Sequence, residues 1–162
     1  MITCDPLVYQ PFQPSAAGLT CDGLPVQSIV ERSGTPVYVY SAEGVRRAYR
    51  AIDEAFASYP HAIHYAMKAN STLGIVRVLR EVGSRIDANS VGEIQVAERV
   101  GFTPADVVFT GVGKTHDELA YAVLHDVGTI NAESAGELDR IAAIAHAHGR
   151  TARVAVRINP DI

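Results

Sequence analysis

The residue with the clearest chemical potential in this sequence is Lys68, within the segment 65–70, YAMKAN. It stands at the end of an apolar run and directly before a polar turn. A neutral lysine amine attacks carbonyl carbons, but a free lysine titrates near a pKa of about 10.4, so a reactive lysine must be partly desolvated or crowded by positive charge. Lys68 is therefore a candidate covalent anchor for an aldehyde cofactor. The alternative is a lysine that ends a strand and extends its charge into water.

The segment 87–93, DANSVGE, carries two carboxylates and a serine that could serve the same site. Asp87 and Glu93 could balance the positive charge of the lysine or of an imine formed from it. Each residue also has a structural alternative: Asp87 as a strand-end cap, Glu93 as a solvated residue that complements a helix dipole, and Ser90 as a helix cap. The strands and helices that position these residues decide between the two kinds of role.

Beyond Pro60 the predicted elements recur at a regular spacing. Apolar strand candidates start at intervals of 22, 22, 22 and 24 residues, near Ile63, Arg85, Val107, Thr129 and Arg153. The apolar periodicity predicts one helix in each interval, over 72–82, 91–100, 115–125 and 135–148. The expected N-caps are Ser71, Ser90 and Ser134, and the expected helix ends are Gly83, Gly101, Gly128 and Gly149.

This alternation predicts an α/β fold in which parallel strands are joined by right-handed helical crossovers. Five units follow in uniform register, with no longer connection to mark a reversal of strand order. We therefore expect a (β/α)8 TIM-type barrel rather than an open doubly wound sheet. Lys68 would follow the first strand, at the barrel face where catalysis takes place.

A complete barrel of this type takes about 250 residues, whereas this chain has 162, and its periodic part begins near residue 63. We therefore expect a fragment with about the first five βα units. Five strands would leave both sheet edges unpaired, which predicts low stability or association through those edges.

The part that precedes the periodic region differs in composition. Residues 1–24 are rich in proline, glycine and small polar residues and are expected to be irregular, with a tight turn at Asp22-Gly23. A helix is predicted over 26–33, a strand at 37–40, VYVY, and a helix from the N-cap Ser41 to about Ser58. The predicted domains are a lead-in with its opening strand at 1–40 and the partial barrel at 41–162.

The composition, with 48% apolar and 20% charged residues, is that of an ordinary globular domain. A net charge of −4 gives no basic stripe for nucleic acid, and no apolar run approaches the roughly 20 residues of a membrane span. The N-terminus lacks a signal-peptide pattern, and the two cysteines, Cys4 and Cys21, fit reduced thiols. We therefore expect a cytoplasmic protein that binds neither nucleic acid nor membrane.

Two patterns are similar to those of ligand sites, but we expect neither to bind a ligand. The segment 113–115, GKT, is similar to the end of a phosphate-binding loop, but the first glycine of that pattern would fall on Val108, inside an apolar strand. His146 and His148 are two residues apart on a helix and do not share a face, so no metal site is expected.

Several segments together resemble the pyridoxal phosphate-dependent diaminopimelate decarboxylases, which are grouped with ornithine and arginine decarboxylases on an alanine racemase-like barrel. The resemblance covers about residues 23–161. The segments that carry it are GTPVYVY at 34–40, YAMKAN at 65–70, DANSVGE at 87–93, GVGKT at 111–115, NAES with EL at 131–138 and VRINPD at 156–161. Any one of these is weak evidence, but their order and spacing together are specific.

The resemblance implies roles for the residues singled out above. Lys68 takes the position of the family's lysine that attaches pyridoxal 5′-phosphate, with Asp87, Ser90 and Glu93 around the cofactor. Arg157, at the end of the fifth strand, would point into the barrel mouth near the cofactor ring or the lysine; its alternative is an ion pair in the barrel rim. The implied reaction is decarboxylation of the amino acid meso-2,6-diaminopimelate to L-lysine, the last step of lysine biosynthesis, by a homodimer.

The sequence departs from the family's pattern in two respects. Asn89 and Val91 stand where the family has an apolar residue and a glycine, which could hinder close approach of the backbone to the cofactor. The family's phosphate-binding loop, the acidic partner of its pyridinium nitrogen, a histidine that packs on the ring and a cysteine from the second subunit lie downstream of the residues present here. We therefore expect the fragment alone to be inactive.

Three alternatives stay open. An ornithine or arginine decarboxylase shares the chemistry, although such enzymes tend to carry cysteine where Ala69 stands and lack the GVGKT turn. A racemase of the same barrel is a second alternative, although the motifs after Lys68 follow the decarboxylase pattern. The third is a non-catalytic remnant or carrier that only binds pyridoxal phosphate.

Overall fold

The computed structural model describes residues 9–16 and 18–160. The chain forms two compact units, Met1–His61 and Ala62–Ile162, and the second contains the periodic region. The predicted division into domains at residue 40 stays a prediction.

The first unit contains a small antiparallel sheet where the sequence predicts irregular structure. Its strands are β1 (Phe12–Ser15), β2 (Gly18–Cys21) and β3 (Leu24–Pro25), in that order. The expectation for 1–24 is therefore wrong in its described part. Pro14 lies within β1, which tolerates it because an edge strand can lack ladder donors. The predicted turn is confirmed: Asp22 and Gly23 have φ of 48° and 82°, as a two-residue hairpin turn requires.

Two helices follow this sheet. The helix α1 (Val26–Ser33) has the predicted bounds. The helix α2 (Ala42–Ala55) begins at the predicted cap, where Ser41 Oγ accepts a hydrogen bond from the Gly44 amide at 2.8 Å. The Ser41 hydroxyl in turn donates to Asp22 Oδ1 at 2.6 Å, which connects the hairpin turn to the start of α2. The thiol of Cys21 is buried and free, while Cys4 lies outside the described residues.

The segment 37–40 does not form the predicted opening strand. It pairs with no strand in the described part of the chain, and Tyr38 and Tyr40 are 86% and 53% exposed. Aromatic and β-branched residues favour a strand only where a neighbouring strand and a buried face are available. The prediction for 37–40 is therefore wrong.

The second unit is a five-stranded parallel sheet with helices between its strands. The strands are β4 (His64–Ala66), β5 (Arg85–Ala88), β6 (Val107–Phe109), β7 (Thr129–Ala132) and β8 (Val154–Val156). They pair in chain order, each parallel to the next, so β4 and β8 form the two edges. The helices are α3 (Leu73–Glu81), α4 (Val91–Arg99), α5 (His116–Leu124) and α6 (Ala135–Ala147). Every strand starts within one residue of its predicted position, and the predicted alternation of parallel strands with helices is confirmed.

The core of the second unit lies between the sheet and its helices. Ile86, Phe109 and Ile130, one from each central strand, are at most 1% exposed. They form one apolar cluster with helix residues that include Val76, Ile94, Leu119 and Ile141. Successive residues of a strand point to opposite faces, so Asp87 and its register partner Val108 lie on the other side of the sheet. A packed layer therefore supports the strand ends at which the candidate site residues lie.

Gly128, directly before β7, lies against the backbone that leads into β6. It does not end α5, which stops at Leu124. A Cβ atom added at Gly128 would overlap the carbonyl oxygens of Ala105 and Val107. Because both are backbone atoms, they cannot yield without displacing the chain. We expect Gly128→Ala to lower the free energy of unfolding by about 1–3 kcal/mol, the usual cost of overpacking, as measured by urea denaturation.

Gly74→Ala is the matched control for this substitution. A Cβ atom at Gly74 meets no heavy atom within 4 Å, and Gly74 lies in α3, where alanine is favoured over glycine by up to about 1 kcal/mol. This variant should be as stable as the unchanged chain or more so. Equal destabilisation by both substitutions would contradict the steric argument.

Candidate functional site

Lys68 lies directly after β4, in the single 3₁₀ turn Met67–Ala69. Met67 is buried at 1% exposure, whereas Lys68 is exposed and makes no hydrogen bond or ion pair with any described residue. The buried methionine therefore anchors the turn. The exposure of Lys68 differs from the partial desolvation expected of a reactive lysine, and its amine is accessible to a ligand.

Two hydrogen bonds fix the chain that follows Lys68. The Tyr65 hydroxyl donates to the Asn70 carbonyl at 3.1 Å, and the Thr72 amide donates to Asn70 Oδ1 at 2.9 Å. Burial raises the pKa of the Tyr65 phenol, which keeps it protonated as a donor. Thr72 occupies the N-cap position of α3. The prediction of Ser71 as this cap is wrong.

Asp87 lies on β5, in register with Ala66 at the end of β4. Its side chain is half-buried, and its Oδ1 atom is buried with no hydrogen-bond partner among the described residues. The Nδ2 atom of Asn89, just beyond the same strand, is also buried and unpartnered within the described ranges. Unpaired buried polar atoms cost free energy, so this strand end offers one acceptor and one donor to a ligand.

Ser90 and Glu93 fix the turn between β5 and α4. Ser90 Oγ accepts from the Glu93 amide at 3.2 Å, which makes Ser90 the predicted helix cap. Glu93 is half-buried, and its Oε2 atom accepts from the Asn89 amide at 2.7 Å. Glu93 is therefore bonded to the backbone and is not simply a solvated residue of the first helical turn. Its Oε1 atom receives no hydrogen bond from the described part of the chain.

Arg157 follows β8 and pairs with Glu133, which follows β7. The Arg157 Nη1 and Glu133 Oε1 atoms are 3.1 Å apart, and the two side chains are 47% and 16% exposed. The Arg157 amide also donates to the Ala132 carbonyl at 2.9 Å. The contact is the rim ion pair given above as the alternative role of Arg157, and it leaves other N–H groups of the guanidinium free to bind a ligand.

A buried ion pair that the sequence motifs do not reveal lies behind this strand end. The Lys114 and Glu137 side chains are 2% and 3% exposed, with Nζ 3.3 Å from Oε1. Lys114 Nζ also donates to the carbonyl oxygens of Gly111 at 2.8 Å and Asn131 at 2.7 Å. The GKT segment therefore contributes a structural lysine rather than a phosphate-binding one.

A turn whose sequence pattern occurs twice in the chain indicates the hydrogen bonds of Glu137 to the backbone. The segments 89–93, NSVGE, and 133–137, ESAGE, share the pattern S-x-G-E. In both, the serine caps the following helix, and the glutamate accepts a hydrogen bond at 2.7 Å from the amide of the residue before the serine. Comparison of the two segments would predict the bonds of Glu137, but not its contact with Lys114.

The structure places all the predicted site residues at the carboxyl ends of the parallel strands. Lys68 ends β4, and Asp87, Ser90 and Glu93 lie on or directly after the adjacent strand β5. Arg157 follows β8, at the other edge of the sheet. Barrel enzymes bind their ligands at this face. A lysine amine that has no partner among the described residues, at the end of the strand next to the one whose end carries an orphaned acceptor and an orphaned donor, is a set that fits pyridoxal phosphate.

Neither a metal site nor a membrane helix is found in the described ranges. No three histidine, cysteine or acidic side chains within 9–16 and 18–160 are grouped so as to hold a metal ion. No helix in these ranges has the length and apolar character required to cross a membrane.

Comparison with protein families shows which family the chain matches. Residues 42–162 match the family described as "Pyridoxal-dependent decarboxylase, pyridoxal binding domain". The chain belongs to this family. The match confirms the predicted cofactor, pyridoxal phosphate, because pyridoxal-dependent decarboxylases are defined by it.

Relatives within the pyridoxal-dependent decarboxylases carry a more specific name. The chain is 42% identical over 146 residues to a diaminopimelate decarboxylase of Pseudomonas aeruginosa. The matched region covers 90% of this chain and 35% of that protein. The chain is also 40% identical to a diaminopimelate decarboxylase of Vibrio cholerae, with 89% and 34% covered. The chain thus spans about a third of the length of these relatives.

Solved structures of diaminopimelate decarboxylases share the fold. The structure from M. jannaschii in complex with L-lysine has a TM-score of 0.88 and 31% identity, covering 94% of this chain and 37% of that one. The structure from Helicobacter pylori, also in complex with L-lysine, has a TM-score of 0.80 and 38% identity, covering 85% and 35%.

Proposed function

We propose that this chain is the cofactor-anchoring part of a diaminopimelate decarboxylase, which converts meso-2,6-diaminopimelate to L-lysine and carbon dioxide. The observation that carries the proposal is the position of Lys68, an exposed amine without a partner among the described residues, at the carboxyl end of the first strand of a pyridoxal-binding barrel. Identities of 42% and 40% to named diaminopimelate decarboxylases support this substrate. Two related structures that contain L-lysine are consistent with it.

In this proposal the residues of the chain bind and orient the cofactor and the substrate. Lys68 would hold the cofactor through its aldehyde group. Asp87 Oδ1 and the free oxygen of Glu93 accept hydrogen bonds or balance positive charge beside Lys68. Ser90 holds the turn that carries Glu93, and Arg157 supplies a cation at the other edge of the sheet. When bound, pyridoxal phosphate supplies a ring that withdraws electrons from the substrate Cα as carbon dioxide leaves.

The remaining parts of the proposal concern the whole protein. We propose that it acts as a cytoplasmic homodimer, on the basis of the family resemblance. An ornithine or arginine decarboxylase receives less support, because the corresponding neighbours, a lysine/ornithine decarboxylase from Vibrio vulnificus and an arginine decarboxylase from Paramecium bursaria Chlorella virus, are 22% and 24% identical and show the fold alone. A non-catalytic pyridoxal phosphate carrier would use Lys68 in the same way but would release no carbon dioxide.

A chimera tests the proposed reaction directly. The matching first third of the Pseudomonas aeruginosa enzyme would be replaced by this chain, and carbon dioxide release would be measured from diaminopimelate, ornithine and arginine. We expect release from diaminopimelate by the chimera and none by the 162-residue chain alone. The control is the same chimera with Lys68→Ala. A folded chimera that binds pyridoxal phosphate but releases no carbon dioxide would contradict the proposed decarboxylation. It would support a non-catalytic carrier instead.

A further inference from the structure

Lys114 is a buried cation for which the proposed chemistry has no use. Its ammonium group donates to the Gly111 carbonyl in the turn after β6 and to the Asn131 carbonyl within β7. It also lies 3.3 Å from Glu137 Oε1 and 3.4 Å from Oε2, in the first turn of α6. One side chain therefore joins the turn after β6, the strand β7 and the helix α6 at the face that carries the candidate site.

Glu137 extends these contacts toward Arg157. Its Oε2 atom accepts the Glu133 amide at 2.7 Å, which fixes the backbone of Glu133 directly after β7. The Glu133 side chain then holds the Arg157 guanidinium at 3.1 Å. The path from Lys114 to Arg157 thus passes through one buried carboxylate and one backbone position, with a hydrogen bond or ion pair at each step.

The other copy of the S-x-G-E turn shows what Lys114 adds. Glu93 makes the same bond to the Asn89 amide at 2.7 Å, but no lysine in the described part of the chain pairs with it, and its side chain is only half-buried. Glu137 is 2% exposed. A carboxylate at that depth needs a cation, because an unpaired buried charge is strongly unfavourable. In the turn that contains Glu137, both carboxylate oxygens are therefore engaged. In the turn that contains Glu93, one carboxylate oxygen has no partner among the described residues and can bind a ligand.

We infer that Lys114 is a positioning residue that sets the backbone of Glu133, and through Glu133 the Arg157 guanidinium, at the carboxyl ends of the strands. The inference rests on the proposed function only where it assigns a ligand to that face. The geometric part, from Lys114 to Glu133, stands independently of any cofactor.

Amide hydrogen exchange in the 162-residue chain, followed by NMR, tests the geometric part. In the unchanged chain the Glu133 amide should be protected although it lies outside helix and strand. In the double variant Lys114→Met/Glu137→Leu, which replaces the buried pair by apolar groups, we expect Glu133 to exchange about 10-fold faster or more, because a charge-assisted bond is lost. The Asn89 amide, held by the other copy of the turn, is the internal control and should change less than about 2-fold. A freely exchanging Glu133 amide in the unchanged chain, or a protected one in the folded double variant, overturns the inference.

Affinity for pyridoxal 5′-phosphate, measured by its absorbance and fluorescence, tests the link to Arg157. Glu133→Gln removes the ion pair with Arg157 and leaves Lys114 and Glu137 in place. We expect this variant and the double variant each to weaken binding by about 3- to 10-fold, and the triple variant to weaken it no further, because the changes act along one path. Additive losses would overturn the path through Glu133. Absence of binding by the unchanged chain would count against the proposed function, and the exchange experiment would still decide whether the buried Lys114–Glu137 pair fixes the backbone of Glu133.

Discussion

Treatment of the chain with pyridoxal 5′-phosphate and then borohydride should attach the reduced cofactor to Lys68. The sequence contains only two lysines, Lys68 and Lys114, so the labelling has a built-in comparison. Lys68 is exposed and unpaired within the described part of the chain, whereas Lys114 is 5% exposed and its ammonium group is already bonded. Peptide mapping by mass spectrometry measures the label at each lysine, and at the N-terminal amine.

Two substitutions sharpen this first prediction. Lys68→Ala should abolish labelling of the peptide that contains residue 68, and Lys68→Arg should do the same although it keeps the positive charge, because a guanidinium stays protonated and does not attack the aldehyde. Lys68 is exposed, so the fold should be preserved in both variants. Labelling of Lys114 at the level of Lys68 would contradict the assignment of Lys68 as the anchor.

Lys114→Met should lower the free energy of unfolding by about 3–5 kcal/mol, since it leaves a buried carboxylate without its cation. The two side chains are 2% and 3% exposed, so water cannot replace the lost contact. The methionine occupies a similar volume, and the effect is therefore electrostatic rather than a loss of packing. Urea denaturation followed by circular dichroism measures the change.

Two controls separate this explanation from a general sensitivity to mutation. The double variant Lys114→Met/Glu137→Leu should be closer in stability to the unchanged chain than Lys114→Met is, because a buried pair replaced by apolar groups is often nearly neutral. Arg150→Met removes a pair with Asp126 whose side chains are 46% and 60% exposed, and it should cost at most about 1 kcal/mol. If the exposed and the buried pair contribute equally, the electrostatic argument is wrong.

The second unit could be predicted from the sequence because its signals are local. Each strand is a short apolar run, and the helices α4, α5 and α6 each begin with a side-chain cap. Of these caps, Ser90 and Ser134 act as predicted. The position of Lys68 followed from the same spacing, since it comes directly after the first of these runs. The cap of α3 was predicted one residue early, because the oxygen that accepts the Thr72 amide comes from Asn70.

The other wrong predictions, and one contact that was not predicted, have separate causes. The strands β1 to β3 are short, and Pro14 in β1 is acceptable only because β1 is an edge. The segment 37–40 has strand-forming residues but no neighbouring strand in the described part of the chain. Lys114 and Glu137 lie 23 residues apart, and only the register of β6 and β7 brings them together. The roles of Asp87, Ser90, Glu93 and Arg157 toward a cofactor stay predictions.

The order of strands in the second unit bears on how the protein is synthesised. Each of β5 to β8 pairs with the strand that precedes it in the chain, so every unit meets its partner as soon as it leaves the ribosome. Folding can therefore proceed in the direction of translation, as is usual for N-terminal segments. The turn that carries Lys68 and the strand that carries Asp87 would then be the first parts of the sheet to form. The amine proposed as the anchor would thus be in place while the strands from β6 onward are still being translated.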